Sequence, residues 1–109
     1  MNTFQKIFEP ITIKNMTLPN RLIVSAMRTN MVNADGIIDD RYIAYHEAKA
    51  RGGWGLVITE NCLINPESGV SKCLPGLYNE EQVAALTRLT ERVHAVGGRI
   101  AAQIYHAGR

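Results

Sequence analysis

Three short apolar runs, separated by two longer amphipathic stretches, constrain this chain more than any other feature. The runs lie at 21–27, 54–60 and 99–105. The first is continuous and does not alternate, which suits a strand buried on both faces of a parallel sheet. Asp39 or Asp40 caps the stretch after it, because a carboxylate accepts the free N–H groups of a first helical turn. That helix runs through Tyr42, Ile43, His46, Ala48 and Ala50 and stops at Gly52-Gly53. Asn79-Glu80-Glu81-Gln82 opens the second helix with a capping-box pattern. There Val83, Leu86, Leu89, Val93 and Val96 recur at three- and four-residue steps up to Gly97-Gly98. One apolar face of an amphipathic helix is the result.

The order is β–α–β–α–β, which implies parallel strands joined by right-handed crossovers. A hairpin over 8–19 precedes it, with Lys14-Asn15 at the turn and Pro10 and Pro19 discouraging helix on either side. The loop at 65–77 is long enough to be functional or ordered by contacts elsewhere. Glu47 and Arg51 stand four apart for a modest surface pair. Three strands with two helices leave both outer strand edges unpaired. Residues 1–109 are therefore expected to be one partial domain, an N-terminal piece of a larger α/β fold.

Composition excludes more than it selects. The chain of 109 residues carries a formal charge of +2, too little to argue for nucleic acid or an anionic membrane surface. No run approaches the roughly 20 apolar residues of a transmembrane helix. The N-terminus has neither the basic start nor the apolar core of a signal peptide, so a cytoplasmic location is expected. Cys62 and Cys73 form no CxxC pair and have no His at ligand spacing, so neither a disulfide nor a metal is expected.

Ligands of barrels and doubly wound sheets gather at the carboxyl ends of the strands. That rule selects Ser25-Ala26-Met27-Arg28-Thr29, Thr59-Glu60-Asn61-Cys62 and Gln103-Ile104-Tyr105-His106. None contains a glycine-rich phosphate cradle or a GxSxG elbow. Ser25 lacks an obvious base and reads as a strand-end hydroxyl bonded to backbone or ligand. Gln103 offers a donor and an acceptor together, which suits the edge of a heterocycle such as a flavin pyrimidine. The same amide could equally satisfy loop backbone, and both readings stay open. His106 reads as structural before ligand-orienting, and Glu60 as a partner for backbone or a basic group before a general base. His46 and His94 are expected to be solvated or interfacial, and Trp54 to pack.

At these same residues the sequence resembles the old yellow enzyme, or NADH:flavin oxidoreductase, family. Phe8-Glu9-Pro10-Ile11 with Leu18-Pro19-Asn20-Arg21 is similar to the family's opening, where a hairpin closes the barrel floor. Ser25-Ala26-Met27 resembles its small-Pro-Met segment, and Gly55-Leu56-Val57-Ile58-Thr59-Glu60 its second strand. Gln103-Ile104-Tyr105-His106-Ala107-Gly108-Arg109 matches Gln-Leu-x-His-Ala-Gly-Arg after the third strand. The resemblance covers essentially the whole chain.

It implies the N-terminal portion of a (β/α)8 TIM barrel that holds FMN and is reduced by NADH or NADPH. The substrate would be a small unsaturated carbonyl or thioester; no nucleic acid or membrane partner is implied, and homo-oligomerisation stays open. Ser25, Ala26 and Met27 would contact the isoalloxazine ring, Asn61 would sit beside it, and Gln103 would bond its pyrimidine edge. Ala26 stands where many relatives have proline. Arg28 occupies a position near the flavin carbonyl where relatives carry Thr or Cys, and would either stabilise reduced flavin or point to substrate or solvent. These departures resemble the 2,4-dienoyl-CoA reductase branch. The family's substrate-carbonyl pair, proton-donating Tyr and phosphate-binding residues come from later strands, so this chain alone is expected to bind FMN poorly. A non-catalytic remnant or interaction module, and an unrelated doubly wound enzyme, are the competing readings.

Overall fold

The computed structural model describes residues 4–69 and 71–108. After a 3₁₀ turn at Gln5–Phe8 come β1 (Ile11–Ile13) and β2 (Met16–Leu18), an antiparallel hairpin in which Ile11 faces Leu18 and Ile13 faces Met16. Lys14 takes a positive φ of 53° at the turn, as expected of a tight hairpin connection. Then follow β3 (Ile23–Val24), α1 (Asp40–Arg51), β4 (Leu56–Leu63), α2 (Glu80–Ala95) and β5 (Ile100–Tyr105). The three later strands form one parallel sheet in the order β3-β4-β5.

Both helices start where a side chain supplies the missing acceptor. Asp39 Oδ1 accepts from Tyr42 N at 2.9 Å, and Asn79 Oδ1 accepts from Gln82 N at 2.9 Å. The helices pack on one face of the sheet. Tyr42, Ile43 and Ala50 of α1 meet Ala85, Leu89 and Val93 of α2 over Val24 and Val57. Val83, by contrast, is exposed, and Ala85 takes its place in the buried stripe. Glu47 forms the expected pair with Arg51 and also accepts from Arg92, which ties the helices together and leaves Glu47 itself buried. The Arg51 hydrogen bond, then that of Arg92, holds its carboxyl below the usual range against the opposing effect of desolvation.

Several expectations need correction. The first apolar run pairs only at Ile23–Val24, and Ile23 is 42% exposed, so this strand is not buried on both faces. Only β4 pairs with it among the described residues, which leaves its other edge and inner face uncovered. The second strand begins at Leu56 and continues to Leu63, beyond the expected end at residue 60. Trp54 precedes it and is 40% exposed, not packed. Of the two outcomes expected for His46, the interfacial one holds: it is 2% exposed, between the rings of Tyr42 and Tyr45 at 4.6 and 5.1 Å. It lies on the helical arc of Tyr42, Ile43 and Ala50, which faces the sheet and α2 at once.

The hairpin docks under the sheet through Asn20. Its Nδ2 donates to Gly53 O at 2.8 Å, and its Oδ1 accepts from Leu22 N at 3.0 Å. A Cβ at Gly55 would lie 2.5 Å from Asn20 O, so this approach needs glycine.

Candidate functional site

Because β3, β4 and β5 are parallel, their carboxyl ends share one rim. The register there contains one irregularity. Ile58 pairs with Ala101, but Asn61 pairs with Gln103, so β4 spends three steps where β5 spends two. The extra residue is a β-bulge, a device that re-aims side chains. Without it Glu60 would stand opposite Gln103. With it Asn61 takes that place, and two side-chain amides stand side by side at the mouths of neighbouring strands. Ile100 packs against the helical core, so strand alternation turns Gln103, three residues on, to the face away from the helices.

Glu60, displaced from that face, is buried and holds the neighbouring loop. Its Oε1 accepts from Thr29 Oγ1 at 2.6 Å and its Oε2 from Thr29 N at 3.2 Å. Thr29 Oγ1 in turn accepts from Met31 N at 3.2 Å. A carboxylate with both oxygens so engaged is a loop anchor, not a free base. It fixes the segment 25–29 beside the end of β4.

On that segment Ser25 is exposed, Ala26 half-buried and Met27 47% exposed. Arg28 turns towards the long loop: Nε donates to Asn30 Oδ1 at 2.9 Å and Nη2 to Ser71 Oγ. Asn61 is half-buried. Gln103 is exposed; its backbone N–H donates to Thr59 Oγ1 at 3.3 Å, and its side-chain amide has no partner among the described residues. His106 Nδ1 accepts from Gly108 N at 2.9 Å within a turn, the structural role. Arg109, the end of the motif that begins at Gln103, lies outside the described residues.

The loop at 65–77 is ordered by contacts that sequence reasoning missed. Leu63 N donates to Pro75 O and Leu77 N to Leu63 O, both at 2.8 Å, so Gly76 forms a one-residue parallel bridge with Leu63. Gln82 reads as a capping-box residue, yet its Oε1 accepts from Tyr78 N at 3.1 Å and its Nε2 donates to Asp35 O at 2.7 Å. One buried amide thus joins the loops after β3 and β4. Ser68 O accepts from Ala107 N at 2.7 Å and docks the segment after β5.

The buried groups beneath this rim are chemically quiet. Burial, then the Glu60 carboxylate, pushes the Tyr42 hydroxyl up. Burial also pushes the Cys62 thiol up, with the Thr59 hydroxyl opposing it. Cys62 is buried and Cys73 exposed, and both are free thiols. Burial pushes the His46 imidazole down to about 4, and the Lys49 ammonium acts in the same direction. An apolar groove of about 240 Å³ between α2 and β5, lined by Val83, Leu86, Leu89 and Ile100, lies on the helical side of the sheet, away from the rim.

A rim that presents two neutral amides at neighbouring strand mouths, over a parallel sheet, is suited to a flat heterocycle. Residues 6–109 match the NADH:flavin oxidoreductase / NADH oxidase family. The chain belongs to this family. An NADPH dehydrogenase of Listeria monocytogenes serotype 4a (strain HCC23) is 40% identical over 105 residues, covering 95% of this chain and 31% of that protein. The old yellow enzyme homologue from Zymomonas mobilis superposes with a TM-score of 0.88 at 30% identity, covering 95% of this chain and 29% of that one. A 2-naphthoyl-CoA reductase in complex with 2-naphthoyl-CoA superposes with a TM-score of 0.91 at 28% identity, covering 97% of this chain and 16% of that one. This chain thus spans less than a third of each of these three proteins, and it corresponds to the N-terminal part of the family's (β/α)8 barrels. FMN and a nicotinamide nucleotide are the cofactors of the family. The doubly wound alternative is set aside by these superpositions.

Proposed function

We propose that the complete protein is an FMN-dependent NAD(P)H oxidoreductase that reduces activated C=C bonds of enones and enoyl thioesters. On this reading the present chain supplies the floor hairpin and the first three strands of the flavin seat. The observation that carries it is the in-register pair Asn61 and Gln103 at the mouths of β4 and β5. The residues fit the group. Gln103 has both an amide donor and a carbonyl acceptor uncommitted among the described residues, as the alternating edge of a pyrimidine requires. Asn61 stands next to it, Met27 offers a polarisable apolar surface, and Ser25 and Ala26 offer backbone groups.

Gln103, Asn61 and Met27 would hold FMN there, and the group would supply hydride transfer from NADH or NADPH to the alkene. The chain's own residues bind and orient. Gln103 would fix the pyrimidine edge, Met27 would pack against the ring, and the Glu60–Thr29 bonds would keep the 25–29 segment in place. No helix among the described residues is long and apolar enough to cross a membrane. We place the protein in the cytoplasm.

Purification of the complete chain with added FMN tests the proposal. Bound flavin absorbance, with NAD(P)H oxidation that depends on an added enone, is expected. A colourless protein that leaves NAD(P)H untouched would favour the second reading, a non-catalytic interaction module. That reading draws on the exposed Ile104 of the β5 edge and on the apolar groove beside α2. The chain of 109 residues alone is expected to bind FMN weakly and to turn over slowly or not at all.

A further inference from the structure

The mouth of β3 carries a positive charge that no carboxylate neutralises among the described residues. Arg28 is exposed there, and both its acceptors, Asn30 Oδ1 and Ser71 Oγ, are neutral. The ion pairs among the described residues involve Arg51, Arg88 and Arg92 instead. Glu60, on the neighbouring strand, is committed to Thr29.

A guanidinium has five N–H donors in a planar fork. Nε–H and one Nη2–H are used, which leaves the end-on pair formed by Nη1 and Nη2. That edge matches the two oxygens of a carboxylate or phosphate. Ser71 Oγ accepts from Arg28 and also from Cys73 N at 3.3 Å, while its own proton has no acceptor among the described residues. An oxyanion laid beside Arg28 would receive that proton as a further hydrogen bond. Ser71 also lines a cavity of about 470 Å³ with Lys72, Gly36 and Tyr78, which brings a second cation to the same loop.

The guanidinium is also held in advance from two loops. Asn30 adopts φ of 55°, a left-handed conformation uncommon outside glycine, and from there its side chain returns to Arg28. A side chain already fixed loses little freedom when a ligand arrives.

Resting on the flavin reading above, we propose that Arg28 and Ser71 recognise an anionic oxygen group on the substrate, carried at a distance from the reacting C=C bond. The protein thereby prefers carboxylate- or phosphate-bearing alkenes to neutral ones. In this role Arg28 determines specificity.

The experiment uses the complete chain loaded with FMN and three matched enones: a benzoate-bearing enone, its methyl ester and the corresponding phosphate monoester. The kcat/KM ratio of the anionic compound to the neutral ester is expected to exceed about tenfold, and to fall towards one in Arg28→Met with partial recovery in Arg28→Lys. Whichever anionic arm loses more identifies the group. An unchanged ratio in Arg28→Met would overturn the proposal. So would a change confined to the KM for NADPH, which would assign Arg28 to the reductant's phosphate. If the protein holds no flavin, the flavin reading fails on its own and thermal unfolding decides the anion site. Stabilisation by glutarate but not glutaramide, lost in Arg28→Met, supports it; equal curves overturn it.

Discussion

His46 shows how a single side chain can set a pH limit. Its imidazole is buried with both nitrogens unpartnered among the described residues, and burial lowers its pKa from 6.5 to about 4. The unfolded chain binds a proton near 6.5 and the folded chain does not until about 4. Stability is therefore unaffected by this group above pH 6.5, falls as pH drops through the window from 6.5 to 4, and levels off below it. A shift of that size corresponds to roughly 3 kcal/mol. Urea unfolding midpoints between pH 7 and 4.5 are expected to decline in the native protein and to flatten in His46→Phe. The carboxyl of Glu47, held low by Arg51 and Arg92, adds stability above its ordinary pKa that disappears at still lower pH, so the two effects separate. The buried state of His46 was readable from its position three and four residues from Ile43, Tyr42 and Ala50. That spacing selects the interfacial of the two expected outcomes over the solvated one.

At the scale of elements, Gln82 joins what the sheet leaves apart. Its two side-chain bonds hold Asp35 after β3 and Tyr78 before α2, and beside it Gly76 N donates to Gly36 O at 2.9 Å. Gln82→Ala removes two bonds from a buried site and is expected to cost about 2–4 kcal/mol, read by chemical denaturation. Gly76→Ala would place a Cβ 2.3 Å from Gln82 Oε1 and is expected to be destabilising, with Gln82→Ala in the same chain relieving part of the loss. Leu89→Ala empties the centre of the helical layer and should cost about 2–5 kcal/mol. Helix starts and stops were legible because caps are local: Asp39 and Asn79 bond within their own first turns. The bulge at 58–61 and the reach of Gln82 were not, because each depends on a partner distant in sequence. A one-residue shift decides whether Glu60 or Asn61 faces the rim, and nothing within β4 alone specifies it.

For the whole molecule, the alternation of strands and capped helices already dictated a parallel sheet with its ligand rim at one end. The family resemblance supplied the barrel, and residues 6–109 match that family. What the sheet does not supply is closure. β3 and β5 are both edges among the described residues, and Ile104 is exposed on the latter. A chain limited to these 109 residues is accordingly expected to bind apolar dyes and to associate as its concentration rises, measured by sedimentation. Joining it to further barrel units that pair with β3 and β5 should abolish both. The rim depends on closure too, since only three strand mouths contribute to it here.

The most direct measurement is the dissociation constant of FMN from the complete chain, followed by flavin fluorescence, in the native protein and in Gln103→Leu. If Asn61 and Gln103 form the edge of the seat, the native protein binds FMN and the substitution weakens it by about tenfold or more while leaving the far-ultraviolet spectrum unchanged. Equal affinity in the two proteins would contradict the assignment.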